Sequence, residues 1–410
     1  MSNPTIDQGA LAGLRVLDLS RVLAGPLCGQ MLGDHGADVI KVEPPTGDDT
    51  RAWGPPFFPD GTSAYFSSLN RNKRNISLDL RRSEAREVLR RLIRSVDVVV
   101  ENYKPGTMAK WGLGYEEVLA AELPALIYCR ITGYGVDGPL GGLPGYDAVL
   151  QAYGGLMSVN GEADREGVRI GVPVVDMVTG IFAFSGILLA LTERGRSGRG
   201  QLVDCTLLDT AIALLHPHST GWIASGEVPV RTGSAHPNIA PYETFDTKSG
   251  TFFLSAANDS QFSRLARVLG DPDLSRDSRF RSNSSRVEHV GDLRAELARL
   301  IARWDLKDLS ERLLQEGIPA APVQNVAEAL SSEQVLHRKM LIRRDDYEGI
   351  GIPVKLGRTP GCITSGPSVM GAATFDVLRE LDYTDGEIRA LIAVGAAISS
   401  DVRRDDAGDG

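Results

Sequence analysis

Two stretches, Arg15-Val16-Leu17-Asp18-Leu19-Ser20-Arg21-Val22-Leu23-Ala24-Gly25-Pro26 and Gly36-Ala37-Asp38-Val39-Ile40-Lys41-Val42-Glu43, decide the fold class. Residues 15–19 form a short β-type run. Gly25-Pro26 then opens a helix, and proline suits the first helical turn because its missing N–H has no partner there anyway. Gly36 ends that helix, and residues 37–42 read as a second strand. Strand, helix and strand in this order form the unit of a parallel sheet.

Outward from this unit the alternation continues. Residues 78–80 lead to Ser83, expected as an N-cap, with Glu84 in the first turn. Leu89, Leu92 and Ile93 fall on one face of the helix that follows. Residues 96–100 are almost continuously apolar, as a buried parallel strand should be, and 126–131 repeat the pattern. A long helix from about Asp176 to Arg194 is apolar on all sides, which places it inside a domain or at an obligate interface. Residues 195–200 read as a turn and 202–205 as another strand. The whole predicts an α/β fold with an open sheet.

Periodicity fails over 219–237, a candidate linker. Beyond it, 242–245 and 251–255 flank Lys248-Ser249-Gly250 as a hairpin, and helical patterns cover 261–269 and 290–304. The expected organisation is a large domain over 1–221, a smaller α+β domain over 222–335, a segment 336–400 returning to the large domain, and a disordered acidic tail over 401–410. No internal repeat is visible.

The 410 residues suffice for two domains, and 42% apolar residues are ordinary for a globular chain. A formal charge of -9 argues against a general nucleic-acid binder. The most apolar stretch, 177–191, is short for a membrane span. The N-terminus lacks the basic flank and apolar core of a signal peptide, so a cytoplasmic location with no membrane partner is expected. Cys28, Cys129, Cys205 and Cys362 show neither metal-ligand spacing nor a disulfide framework and read as buried free thiols.

Each chemistry-bearing motif has a structural alternative. Gly25, Gly29, Gly33 and Gly36 lack the G-x-G-x-x-G spacing of dinucleotide sites, and no G-x-S-x-G, H-E-x-x-H or Walker A pattern occurs. His216 and His218 do not share a helix face, so no metal site is expected. His236, in a Gly/Pro-containing loop, either contacts a ligand or makes a local hydrogen bond. Asn70-Arg71-Asn72-Lys73-Arg74 and Asn102-Tyr103-Lys104, with Arg21, place cations near strand ends. They form either a solvated face or a grip on a phosphate-rich ligand. Asp176, at the start of the apolar helix, is either an N-cap or a reactive carboxylate.

These segments resemble a family. The two opening stretches look like the start of CaiB/BaiF (class III) CoA-transferases, and further blocks are similar in order along nearly the whole chain: Asn70-Arg71-Asn72-Lys73-Arg74, Val100-Glu101-Asn102-Tyr103, Gly133-Tyr134-Gly135, Gly145-Tyr146-Asp147, Gly198-Arg199-Gly200-Gln201, His236-Pro237 and Leu381-Asp382-Tyr383-Thr384. The resemblance implies a Rossmann-like large domain built from both chain ends, a smaller domain between, and an interlocked homodimer. It makes Asp176 the nucleophile and lays CoA along Arg21, Ala24, Lys73, Arg74, Asn102, Tyr103 and Lys110, with Tyr134, Tyr146 and His236 toward the acid substrate. Leu23 stands where oxalate-specific members carry glutamine, and their glycine run shrinks to Gly233-Ser234-Ala235. Both departures argue against oxalate as acceptor.

The implied reaction moves CoA from an acyl-CoA to a small carboxylic acid through an aspartyl-CoA thioester. CoA is then a substrate, and no tightly bound cofactor is expected. The pattern is similar to members that use succinyl-CoA and four- to six-carbon dicarboxylates, with no residue declaring itself the reader of the distal carboxylate. The helix N-terminus is expected to keep Asp176 ionised against the effect of burial. Two alternatives stand beside this. An α-methylacyl-CoA racemase would carry a histidine where Tyr146 stands, and tyrosine, with a reference pKa of about 10, is a poor base at neutral pH. A non-catalytic protein would bind CoA and form no adduct.

Overall fold

The computed structural model describes residues 9–344 and 347–400; the expected tail over 401–410 lies outside them. The chain divides into two compact units, one from Met1–Gly154, Gly171–Leu215 and Leu336–Gly410, the other from Gly155–Ile170 and His216–Val335. The bounds differ from the sequence-based 1–221 and 222–335: segment 155–170 leaves the large domain for the second unit, and residues 216–221 go with it.

The first unit is built on a seven-stranded sheet. Strands β1 (Arg15–Asp18), β2 (Asp38–Glu43), β3 (Lys73–Leu78), β4 (Val98–Glu101), β5 (Ile127–Thr132) and β6 (Leu202–Thr206) are parallel in the order β3-β2-β1-β4-β5-β6. A short terminal strand, Ala397–Ile398, adds antiparallel to β3 and covers that edge. Helix α1 (Ala24–Asp34) follows β1, and α2 (Ser83–Arg94) follows β3. Leu89, Leu92 and Ile93 pack with Leu17, Ile40, Ile76 and Val99 in one buried cluster, as the spacing predicts. Strand order reverses direction between β1 and β4, so the loops leaving these strands diverge and open a crevice at the carboxyl edge, where open α/β sheets bind ligands.

Helix α3 (Asp147–Tyr153) precedes the long α4 (Val174–Ser197). Helix α4 buries Val175, Thr179, Gly180, Ala183, Ile187 and Ala190, a stripe at helical spacing. Gly180 permits this packing: a Cβ there would meet the Ala24 carbonyl oxygen at 2.6 Å. The opposite side keeps Met177, Ile181, Phe182 and Leu189 exposed, so the helix is only half inside this chain. Helix α4 is longer than the apolar stretch 177–191 and by length and composition alone would suffice for a span, a test that core helices also pass. Its sequence-based start at Asp176 missed Val174 and Val175, and its end extends to Gly198, where φ of 74° closes it.

In the second unit β7 (Tyr242–Asp246), β8 (Thr251–Ser255) and β9 (Ala320–Pro322) form an antiparallel sheet. It packs with helices Asp259–Val268, Val290–Ile301 and Leu306–Gln315 around Phe252, Leu254, Phe262, Leu265, Leu297 and Leu313. The hairpin is where Lys248-Ser249-Gly250 predicts it.

Other sequence expectations change. The linker 219–237 contains a helix, His218–Ser225, whose mixed polar and small residues hide its period. Ser83 is the first helical residue, and Arg82 takes the cap position without a side-chain bond. Cys28 and Cys129 are buried, whereas Cys205 and Cys362 are only partly so.

Candidate active site

At the carboxyl edge two cavities meet at shared walls. The smaller, about 310 Å³, is bounded by residues 21–24 after β1, 102–105 after β4, Thr132 and Gly133 after β5, residues 142–146, and Asp176. The larger, about 500 Å³, lies over the ends of β1, β2 and β3 and is lined by Leu19, Val42, Pro44, Leu78, Leu80 and Trp111 among others. Arg21, Tyr103 and Lys104 line both. Gly133 and Gly145 bring the wall of the smaller cavity together, since a Cβ on Gly133 would lie 2.8 Å from the Gly145 Cα.

Asp176 sits in the first turn of α4, at the wall of the smaller cavity. It is not the cap. That role belongs to Asp147, whose Oδ2 accepts from the backbone N–H of Val175 (2.8 Å) and of Asp176 (3.1 Å), while Gln151 donates to Oδ1 at 2.6 Å. The N–H groups of Val175 and Asp176, expected to favour the ionised form of Asp176, go to Asp147 instead. Burial, and secondarily the Asp147 charge, push the Asp176 carboxyl up to about 7. Among the described residues no side chain hydrogen-bonds the Asp176 carboxylate.

Sequence reasoning gave no role to Asp147, which it noted only within the block Gly145-Tyr146-Asp147. It also missed Tyr65, in the helical turn Ala64–Ser67. Burial first, then the charges of Asp176 and Asp147, push the Tyr65 phenol up to about 12, and its ring meets Trp53 edge-on at 5.0 Å. No local pattern in the sequence marks either as neighbours of Asp176.

The β1–α1 turn is held rigidly. Val22 has φ of 70°, costly for a β-branched residue. The Asn102 amide clamps the turn, accepting from Arg21 N–H at 2.9 Å and donating to Arg21 C=O at 2.8 Å. Asn102 thus lines the smaller cavity, with its amide committed to the Arg21 backbone.

The remaining predicted residues divide. Arg21, Ala24, Tyr103 and Tyr146 line the smaller cavity with Asp176, Tyr146 being 63% exposed. Lys73 does not reach either cavity. It lies on β3, and its ammonium is buried against Asp18 (2.9 Å), the Pro26 carbonyl (2.7 Å) and Asn70 (3.0 Å). Burial, the larger influence, pulls it down to about 8 against the attraction of Asp18. Sequence reading placed Lys73 before the strand. In the strand, its side chain is aimed under α1. Arg74 turns to the other face and pairs with Asp38 and Glu380. Lys110 is exposed at the end of the helical turn Thr107–Lys110 and lines neither cavity, although Thr107 lines the larger. Tyr134 packs edge-on against Tyr153 at 5.5 Å and lines neither cavity. His236 belongs to the second unit, where its Nδ1 accepts from Asn238 N–H at 3.0 Å and its ring meets Tyr242, the local hydrogen bond weighed above. Among the described residues no cluster of His, Cys, Asp or Glu could hold a metal ion.

Against known proteins, the family described as CoA-transferase family III matches residues 11–374. A succinate–glutarate CoA-transferase of Agrobacterium fabrum is 41% identical over 383 residues, 91% of this chain and 96% of its own length. A succinyl-CoA:glutarate CoA-transferase of Mus musculus is 37% identical over 94% of this chain and 89% of its own. The crystal structure of a CaiB/BaiF family protein from Brucella suis superposes with a TM-score of 0.82 at 42% identity, covering 93% of this chain and all of that one.

Proposed function

Since the chain belongs to CoA-transferase family III and is an enzyme that transfers CoA, we propose that it moves CoA from succinyl-CoA to a dicarboxylic acid of glutarate size, with Asp176 as the covalent nucleophile. The observation that carries this reading is the position of Asp176: a partly buried carboxylate with no hydrogen-bonded side-chain partner among the described residues, at the wall of a cavity that shares Arg21, Tyr103 and Lys104 with a second, larger one. A long ligand suits such a pair. The adenosine end of CoA would occupy the larger cavity and the thioester would lie beside Asp176. The substrates printed for the Agrobacterium and mouse relatives support the acids chosen.

A carboxylate stripped of hydration attacks a thioester carbonyl more readily than a hydrated one. Attack by an Asp176 oxygen expels CoA thiolate and leaves a mixed anhydride. The thiolate attacks the Asp176 carbonyl of that anhydride, giving an aspartyl-CoA thioester and the free donor acid. The acceptor carboxylate attacks this thioester, releases the thiolate and forms a second anhydride. The thiolate then takes the acceptor acyl group and returns Asp176 as a carboxylate. Every bond broken is replaced by one formed, and no net proton is moved.

We infer also that two copies pair as an interlocked homodimer. The exposed apolar side of α4 supports it, since Leu189 is 72% exposed and such a row is covered in stable assemblies.

The deciding experiment replaces Asp176. Asp176→Asn keeps side-chain size and leaves the Asp147 cap intact, so the protein is expected to fold and bind acyl-CoA while transfer falls by a factor of about 10³ or more. Wild-type protein incubated with succinyl-CoA and hydroxylamine should carry a hydroxamate on the Asp176 peptide. Near wild-type transfer by a folded Asp176→Asn protein excludes the covalent mechanism.

A further inference from the structure

Every residue from Pro44 to Asp49 lines the larger cavity, and a buried ion pair holds the two ends of this wall together. Glu43, the last residue of β2, is 1% exposed. Arg51, in the short helical turn Asp49–Ala52, meets it bidentately: Nε donates to Oε2 at 2.7 Å and Nη2 to Oε1 at 2.8 Å. The Asp48 N–H also donates to Oε2, at 2.8 Å, and the Asn75 amide on β3 to Oε1. Both carboxylate oxygens are thus taken, as a charge at this depth requires. Arg51 is fixed from its other side too. Its Nη2 donates to the Ser368 carbonyl at 3.0 Å, and its guanidinium carbon lies 3.8 Å from the centre of the Phe66 ring.

The wall rests directly on this pair. Its first turn is closed by the Gly47 N–H, which donates to the Pro44 carbonyl at 2.8 Å. Gly47 has φ of 79°, and a Cβ there would lie 3.0 Å from Arg51 Cδ and 3.4 Å from Glu43 Oε2. Glycine takes this conformation and this close approach without strain. Lys41 holds the far end of the wall through Asp48 at 3.1 Å, while the turn 44–47 lies over Glu43 and Arg51.

We propose that Glu43 and Arg51 are positioning residues for the donor thioester: their bidentate pair sets the 44–49 wall, and through it the affinity of the site for the CoA part of the substrate. Their charged groups are spent on each other, and neither acts on the reacting atoms. The assignment rests on the CoA-transferase reading of the site and adds to it which buried pair sets thioester affinity. A displaced wall weakens ground-state and transition-state binding of the donor alike, which raises its KM without lowering kcat. The acceptor acid meets an enzyme that already carries CoA, so its KM should not move.

The test measures steady-state transfer from succinyl-CoA to glutarate, and thermal unfolding, for wild type, Arg51→Lys and Gly47→Ala. Lysine keeps the charge but cannot make the paired bonds. Alanine keeps the pair and pushes the turn off it. The expected result is a KM for succinyl-CoA raised by about tenfold in Arg51→Lys, the order of one lost hydrogen bond between charged groups. Gly47→Ala should raise it by about threefold or more, and in both variants kcat and the KM for glutarate should stay within about twofold. A lowered Tm with the succinyl-CoA KM unchanged, a fall in kcat, or an equal rise in both KM values overturns the proposal. If neither variant folds, the pair holds the fold rather than the ligand, and the proposal fails as well. A wild-type protein that transfers no CoA sinks the proposed function and this assignment together. Normal wild-type transfer with an unaltered succinyl-CoA KM in Arg51→Lys sinks this assignment alone.

Discussion

At Asp176 two influences act in the same direction, burial and the charge of Asp147, and together they bring the carboxyl up to about 7. The nucleophile must be ionised, so kcat/KM with succinyl-CoA should rise tenfold per pH unit below about 7 and level off above it. Asp147→Asn keeps an oxygen for the Val175 and Asp176 N–H groups and removes the charge. It should move that rise to lower pH by roughly half a unit to one unit, no more, because burial is the larger influence. Stability runs the opposite way to activity. With a folded-state value above the ordinary 3.8, the favourable contribution of Asp176 is complete below that value and is lost as pH climbs through about 7. Asp176→Asn should therefore raise Tm more at pH 8 than at pH 4, by ~1–3 °C. An equal change at both pH values in calorimetry would show an ordinary, unshifted carboxyl.

Between elements, the carboxyl edge is tied by buried charges. Lys73 on β3 binds Asp18 on β1 beneath α1, and Lys41 on β2 binds Asp48 and the Ser20 carbonyl. Removing one partner of such a pair leaves the other charged and unsatisfied. Lys73→Ala should cost ~3–5 kcal/mol in chemical denaturation, a loss far larger than expected from an exposed lysine. If Lys73→Ala leaves stability intact and instead raises the dissociation constant for CoA about tenfold, Lys73 faces ligand after all. The sequence suggested a phosphate grip here because a cation beside a strand end looks the same whether it turns outward or under a helix. Register decides between them, and it puts Lys73 inward and Arg74 outward.

For the molecule as a whole, the half-exposed α4 makes the assembly testable. Wild-type protein should run at twice the chain mass in light scattering, and Phe182→Glu with Leu189→Glu should shift it toward a single chain. Both side chains lie on the exposed side of α4. A wild-type protein of single-chain mass at micromolar concentration would refute the dimer.

What the sequence determined by itself is what short-range physics writes into it. Alternating apolar runs and helical periods placed β1, β2, β4, β5 and β6, whereas β3 begins at Lys73, which the sequence reading put before the strand, and the ordered blocks from residue 15 onward identified the family. They also singled out Asp176, Arg21, Ala24 and Tyr103, all now found at one cavity. Only the tertiary structure decided the rest. Which carboxylate caps α4 depends on Asp147 arriving from a separate helix, 28 residues away in sequence from the first N–H it accepts. Whether Lys73 meets ligand or Asp18 depends on which face of β3 it occupies. Such contacts are set by packing between distant segments, and neither composition nor spacing records them.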